Sequence, residues 1–178
     1  MAILTEARQD LPTGTWTLDP VHSTIGFELP YLAGIFRGQF RDVEAKLSAG
    51  SLSGSARVAS VDVKDENLAA HLQSPEFFDA ERHPELTFAS SSLERSGDEV
   101  AIQGDITIRG TTKRVELTGT IAGPFTDAFE RERLNFKLET SVDRTDFGLN
   151  WNMPLPNGEP ALQHEVTLVA ELYFVKEA

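Results

Sequence analysis

The stretch Asn67 to Phe88, NLAAHLQSPEFFDAERHPELTF, alone breaks the two-residue rhythm of apolar and polar residues that runs through most of the chain. Leu68, Ala69 and Leu72 fall at i, i+1 and i+4, which places them on one helical stripe, and Pro75 ends the helix because the residue before a proline is pushed out of the helical region. Such a helix has about two turns, too few to stand without packing against something else. Phe77 and Phe78 follow at once, and Pro84 precedes a renewed alternation at Leu86 and Phe88. The stretch therefore predicts a small apolar lid, carrying His71, set between two strands.

On either side of the lid the period is two. Upstream, Trp16 and Leu18, then Ile25, Phe27 and Leu29, then Phe36, Gly38 and Phe40 around Arg37, then Val43, Ala45 and Leu47 each share a strand face. The serine and glycine group from Ser48 to Gly54 marks a turn, and the change of phase between Val58 and Val61 predicts a bulge or bend. Downstream come strands at Leu86 to Leu93, Val100 to Ile108, Val115 to Ile121, Leu134 to Val142 and Val166 to Val175. Arg109-Gly110-Thr111-Thr112 is a hairpin signal, Gly123 to Arg133 a mixed-charge connection, and Asp143 to Gly158 a long loop. The last strand is apolar on both faces, so its outer side is expected to meet a helix, the N-terminal arm or a partner subunit. Strands of this number, joined by short turns, favour an all-β antiparallel barrel, since closure removes exposed edges. Residues 1–13 lack periodicity and read as a flexible arm, leaving 14–178 as a single domain.

What fills an eight-stranded barrel is decided by its inward faces. Gly38, Ala45, Ala59, Ser90, Gly104, Gly119 and Ala170 stand where a packed core would want leucine; together with the phenylalanines they would line an elongated apolar cavity. Equally, the glycines would mark bends and the aromatic rings fill a solid core.

Composition narrows the chemistry. A formal charge of −12 repels phosphate backbones, which argues against nucleic acid as a partner, and no apolar run approaches the ~20 residues of a membrane-spanning helix. The start, MAILTEARQD, lacks the basic cluster and apolar core of a signal sequence, so a cytoplasmic location is expected. There is no cysteine, and His22, His71, His83 and His164 have no metal-ligand spacing, so no metal site is expected. No hydrolase elbow, phosphate loop or dinucleotide fingerprint occurs. Two polar groups stand out. Asp143-Arg144-Thr145-Asp146-Phe147-Gly148 directly follows a strand, where an arginine between two aspartates could form a charged network at a barrel mouth, or a loop held by side-chain hydrogen bonds. Arg37 could pair with an acid or meet a ligand head group.

Several of these segments, in order, resemble the YceI family of lipocalin-like, polyisoprenoid-binding proteins. They are Asp19-Pro20-Val21-His22-Ser23 with Phe27, Arg37-Gly38-Gln39-Phe40, His71-Leu72-Gln73-Ser74-Pro75-Glu76-Phe77-Phe78-Asp79, Gly104 to Lys113, and Asp143 to Gly148. The resemblance covers about residues 15 to 176 and implies an eight-stranded, lipocalin-like antiparallel barrel capped at one end by the short helix. It also implies an apolar tunnel for an isoprenoid quinone or polyprenyl chain as the only bound group, with no cofactor, and often a homodimer. On this reading the tunnel candidates are Phe27, Phe36, Phe40, Leu72, Phe77, Phe88, Phe136 and Phe147, with Arg37 and His71 as polar contacts and no catalytic residue. The expected function is a carrier, storage or sequestering protein without stable membrane insertion. The alternatives are a cyclase or isomerase using His71 or Asp146 in the same cavity, and a protein-interaction module around a packed barrel.

Overall fold

The chain winds as β1 (Thr15–Leu18), β2 (Thr24–Tyr31), β3 (Gly34–Phe40), β4 (Val43–Ser48), β5 (Ser51–Arg57), β6 (Val61–Asp62), α1 (Glu66–Gln73), β7 (Glu85–Ser96), β8 (Glu99–Ile108), β9 (Thr111–Thr126), β10 (Glu132–Asp143) and β11 (Glu165–Lys176). This is a computed structural model, and it describes residues 11–178. The expected N-terminal arm therefore lies outside the described residues, apart from Leu11, Pro12 and Thr13. Every pairing is antiparallel, and β1 joins both β4 and β11, which closes β1-β4-β5-β7-β8-β9-β10-β11 into an eight-stranded barrel.

Toward one end β2, β3 and β6 carry this ring further. β2 takes the edge of β11 from Thr167 to Glu171, β3 pairs with β2, and β6 pairs with β3. The first three barrel strands are thus each a long strand broken by a bend, which is why alternation in the sequence suggests more strands than the barrel holds. At one bend the expected phase change is a 3-10 turn, Val58–Ser60, stitched by backbone bonds from Arg41 to Ser60 and from Arg57 to Asp42.

Turn chemistry explains the hairpins. Arg109 and Gly110 both take positive φ, 49° and 74°, between β8 and β9, as a two-residue turn matched to strand twist requires. Ala49 and Gly50 do the same between β4 and β5, so the turn anticipated across Ser48 to Gly54 is confined to two residues and Gly54 lies within β5. The connection expected from Gly123 to Arg133 is likewise shorter. β9 runs on to Thr126, and the register shift between Arg133 and Asn135 hides that continuation by breaking the alternation.

The two barrel ends differ. At the β1 and β4 end Trp16, Ile102, Ile121, Leu134, Phe136 and Phe174 are at most 1% exposed and form a solid plug. At the other end stand the β2–β3 hairpin, α1, the 3-10 turn Arg144–Phe147 and the loop that follows it. α1 forms where the sequence places it. Asp65 caps it by accepting from the Leu68 amide at 2.8 Å, and it ends at Ser74, before Pro75. The residues after it fold back through backbone bonds from Phe78 to Leu72 and from Ala80 to Gln73, which makes helix and loop one compact lid. On the outer face of β11 Val169, Tyr173 and Val175 are half-buried, and the His22 ring lies 6.0 Å from Tyr173.

Candidate ligand-binding site

Beneath the lid lies an outer chamber of about 480 Å³, walled by β2, β3, α1, the turn Arg144–Phe147 and the loop after it. A smaller chamber of about 130 Å³ sits in the middle of the barrel. Phe40, Leu86, Ile108 and Leu168 wall both, so the two chambers adjoin along the barrel, one under the lid and one nearer the plug, and together they are called the passage below. The passage reaches the surface at Tyr31 and Met153, which border the outer chamber and are 47% and 57% exposed. Aromatic rings shape the wall. Phe27 meets Phe36, Phe40 and Phe78 at 5.9 to 6.4 Å between centroids, and Phe78 stands edge-on to Phe40.

Six of the expected tunnel residues, Phe27, Phe36, Phe40, Leu72, Phe77 and Phe147, border the outer chamber, and Phe88 borders the inner one. Phe136 does not line the passage. It lies fully buried in the plug, edge-on to Phe174 at 5.7 Å, because its strand position falls beyond the end of the inner chamber. Arg37 is also displaced from its expected role. Strand alternation that turns Phe36 and Gly38 inward turns Arg37 outward, where it donates to Glu28 at 3.1 Å with a side chain 65% exposed. His71 does face the outer chamber. Its ring lies edge-on to Phe77 and Trp151 at 4.9 and 5.0 Å, and its Nε2 pairs with Glu76 at 2.7 Å.

The small residues divide by role. Ala45 and Ala170 line the inner chamber as expected. Gly104 instead makes way for the Phe88 ring, since a Cβ there would stand 2.7 Å from it, and Gly38 does the same for Phe27. Gly119 allows β10 a close backbone approach, the Ser90 hydroxyl accepts from the Leu52 amide at 2.8 Å, and Ala59 is exposed on its 3-10 turn. The sequence reading did not select Phe78 or Trp151 for the wall. Their aromatic character was the available signal, but neither lies on a regular alternating strand.

Arg144 departs from the anticipated aspartate network. It is 5% exposed and borders the outer chamber, and it spends its donors on backbone carbonyls. Nε donates to Gln163 at 2.8 Å, and Nη1 to Leu149 at 2.6 Å and Trp151 at 2.9 Å, which ties down the loop after β10. Burial lowers the Arg144 pKa, and nearby Asp143 only partly offsets this. Asp143 itself accepts from the Thr145 hydroxyl and amide, and these two bonds hold its carboxyl below the usual range. Asp146 is exposed. Nearby, Arg109 at the β8–β9 turn donates to Gly148 at 2.6 Å and Pro75 at 2.9 Å, stapling the hairpin to the lid and to the loop. Among the described residues no three His, Cys, Asp or Glu side chains group as metal ligands.

The barrel fold is shared by known proteins. The model of the YceI-like domain matches residues 16–174. The chain belongs to the YceI-like family. It is 31% identical over 137 residues to a UPF0312 protein of Pseudomonas putida, covering 72% of this chain and 71% of that protein. It is 29% identical over 164 residues to Protein YceI of Escherichia coli O157:H7, covering 88% and 83%. The solved polyisoprenoid-binding domain from Saccharophagus degradans, implicated in plant cell wall breakdown, superposes with a TM-score of 0.67 at 10% identity over 91% of this chain and 98% of that one. At that identity the likeness shows a shared fold; the lid and chambers are described from this chain alone.

Proposed function

We propose that the protein binds a long-chain isoprenoid lipid, an isoprenoid quinone or another polyprenyl compound, as a carrier, storage or sequestering protein. The observation that carries this reading is the pair of adjoining apolar chambers that run from the Tyr31 and Met153 rim to Ala45 and Ala170. The polyisoprenoid-binding function named for the Saccharophagus degradans neighbour supports it. Such a passage needs no catalytic group to retain a ligand, because each buried CH₂ contributes about 0.8 kcal/mol and a prenyl chain supplies many. A cyclase or isomerase in the same cavity would draw on His71 or Asp146. Of these two, Asp146 does not border the cavity, and only His71, paired with Glu76, faces it.

The reading is tested by titrating the protein with quinones that share one head and carry prenyl tails of increasing length. Affinity should rise by about tenfold or more per isoprene unit and then level off once the passage is full. Affinity independent of tail length would contradict it.

A further inference from the structure

The mouth of the outer chamber has two lips. One is the tip of the β2–β3 hairpin, where Tyr31 pairs with Gly34 across a two-residue turn, Leu32 and Ala33. The other is the loop after the turn Arg144–Phe147, where Met153 and Pro154 border the chamber. On the first lip Tyr31, Leu32 and Ile35 are 47%, 69% and 55% exposed, and on the second Met153 is 57% exposed. Leu32 is also held at a φ of 51°. Glycine fills that turn position at no steric cost, whereas a leucine in left-handed backbone is strained. An exposed apolar side chain in a strained conformation gains nothing in the isolated protein, which points to a partner that covers it.

The charge pattern identifies that cover. No charged residue falls between 29 and 36 or between 147 and 158, in a chain that is 25% charged with a formal net charge of −12. Carrying a charged side chain into a bilayer is costly, so entry requires a charge-free rim of this kind. Tyr31, apolar in body and polar at its end, is a residue type that favours the boundary between lipid and water. A second copy would bring a further −12 to the contact, which disfavours self-association. The ligand class adds a reason of its own, because a prenyl chain partitions into bilayers and would enter or leave the chamber between these same lips.

We infer that the two lips are a docking surface for the face of an uncharged lipid bilayer, into which Leu32 and Ile35 dip so that a prenyl ligand passes between bilayer and chamber without crossing water. The inference rests on the lipid-binding reading above and adds where the ligand is exchanged. The contact is peripheral and reversible, because it inserts a few side chains rather than a span of ~20 residues.

The test uses the full chain, phosphatidylcholine vesicles and the variant Leu32→Asp. Leu32 borders neither chamber, and aspartate tolerates left-handed backbone better than leucine, so the variant should fold and keep its ligand site. Cosedimentation should show the wild type on the vesicles and the variant bound about tenfold or more weaker. Wild-type binding should fall when phosphatidylglycerol replaces part of the phosphatidylcholine at low salt, since both surfaces are then negative. Withdrawal of a long-tailed prenyl quinone from loaded vesicles should slow by about tenfold in the variant, while its Kd for a short-tailed quinone added from solution stays within about twofold of the wild type. No wild-type cosedimentation, equal cosedimentation of the variant, stronger binding to phosphatidylglycerol or an unchanged rate of withdrawal overturns the docking surface alone. So does a wild-type dimer that Leu32→Asp dissolves, which would give the lips to a second copy. A wild type that takes up neither quinone overturns the lipid-binding reading, and the docking surface with it.

Discussion

Replacing Ala170 by tryptophan is expected to abolish the benefit of a long prenyl tail while leaving short-tailed ligands bound as in the wild type. Ala170 lies on β11 between Leu138 of β10 and Ile25 of β2, and its methyl group borders an inner chamber of only about 130 Å³. An indole there fills the lumen and stops the tail in the outer chamber. Excluding one isoprene unit, about five carbons, removes up to about 4 kcal/mol of burial, or two to three orders of magnitude in Kd for long tails. The added bulk costs about 1–3 kcal/mol of stability, which lowers Tm by several degrees but leaves the barrel folded. Titration of the quinone series against Ala170→Trp checks this. An unchanged long-tail affinity would show that the inner chamber is not part of the binding site. Gly104→Phe, at one of the small inward positions, is a poorer test. A side chain at Gly104 collides with the Phe88 ring and the Ala89 carbonyl, so its effect would be on folding.

Phe136 and Phe36 separate plug from passage. Phe136→Ala should destabilise the protein by about 3–5 kcal/mol, because a fully buried ring that packs on Phe174 leaves a void the surrounding strands cannot close. For a domain of this size that corresponds to a fall in Tm of about 6–20 °C. Lipid affinity of the folded fraction should stay at the wild-type value. Phe36 is only half-buried and already borders the outer chamber, so Phe36→Ala should cost less stability and change ligand affinity instead. Thermal melts and titrations of the two variants give the comparison, and a loss of lipid binding in folded Phe136→Ala would place Phe136 back in the wall.

The legibility of the site in the sequence follows the physics of each residue's surroundings. Strand alternation is a local property, so Phe27, Phe36, Phe40 and Phe88 were assignable to the inward face from spacing alone. The lid was legible for a similar reason: Pro75 and the Leu68, Ala69, Leu72 stripe are local signals, and the helix runs as they require. Depth along the barrel is not local. Phe136 obeys the same alternation as Phe88, and only the three-dimensional end of the inner chamber tells that one is plug and the other wall. Arg37 was expected to contact the ligand, although its own strand neighbours already imply that it faces away from Phe36. The role of Arg144 was not legible, because its partners at 149, 151 and 163 are backbone carbonyls, and a carbonyl leaves no mark in the sequence.

The central claim is that the barrel passage holds an isoprenoid chain. Mass spectrometry of an organic-solvent extract, made from protein purified under mild conditions from its own host, tests it most directly. A prenyl lipid recovered in stoichiometric amount, and lost from Ala170→Trp, is the predicted result. A wild-type extract free of prenyl lipid, from protein that also takes up none of the added quinones or polyprenols, would contradict it.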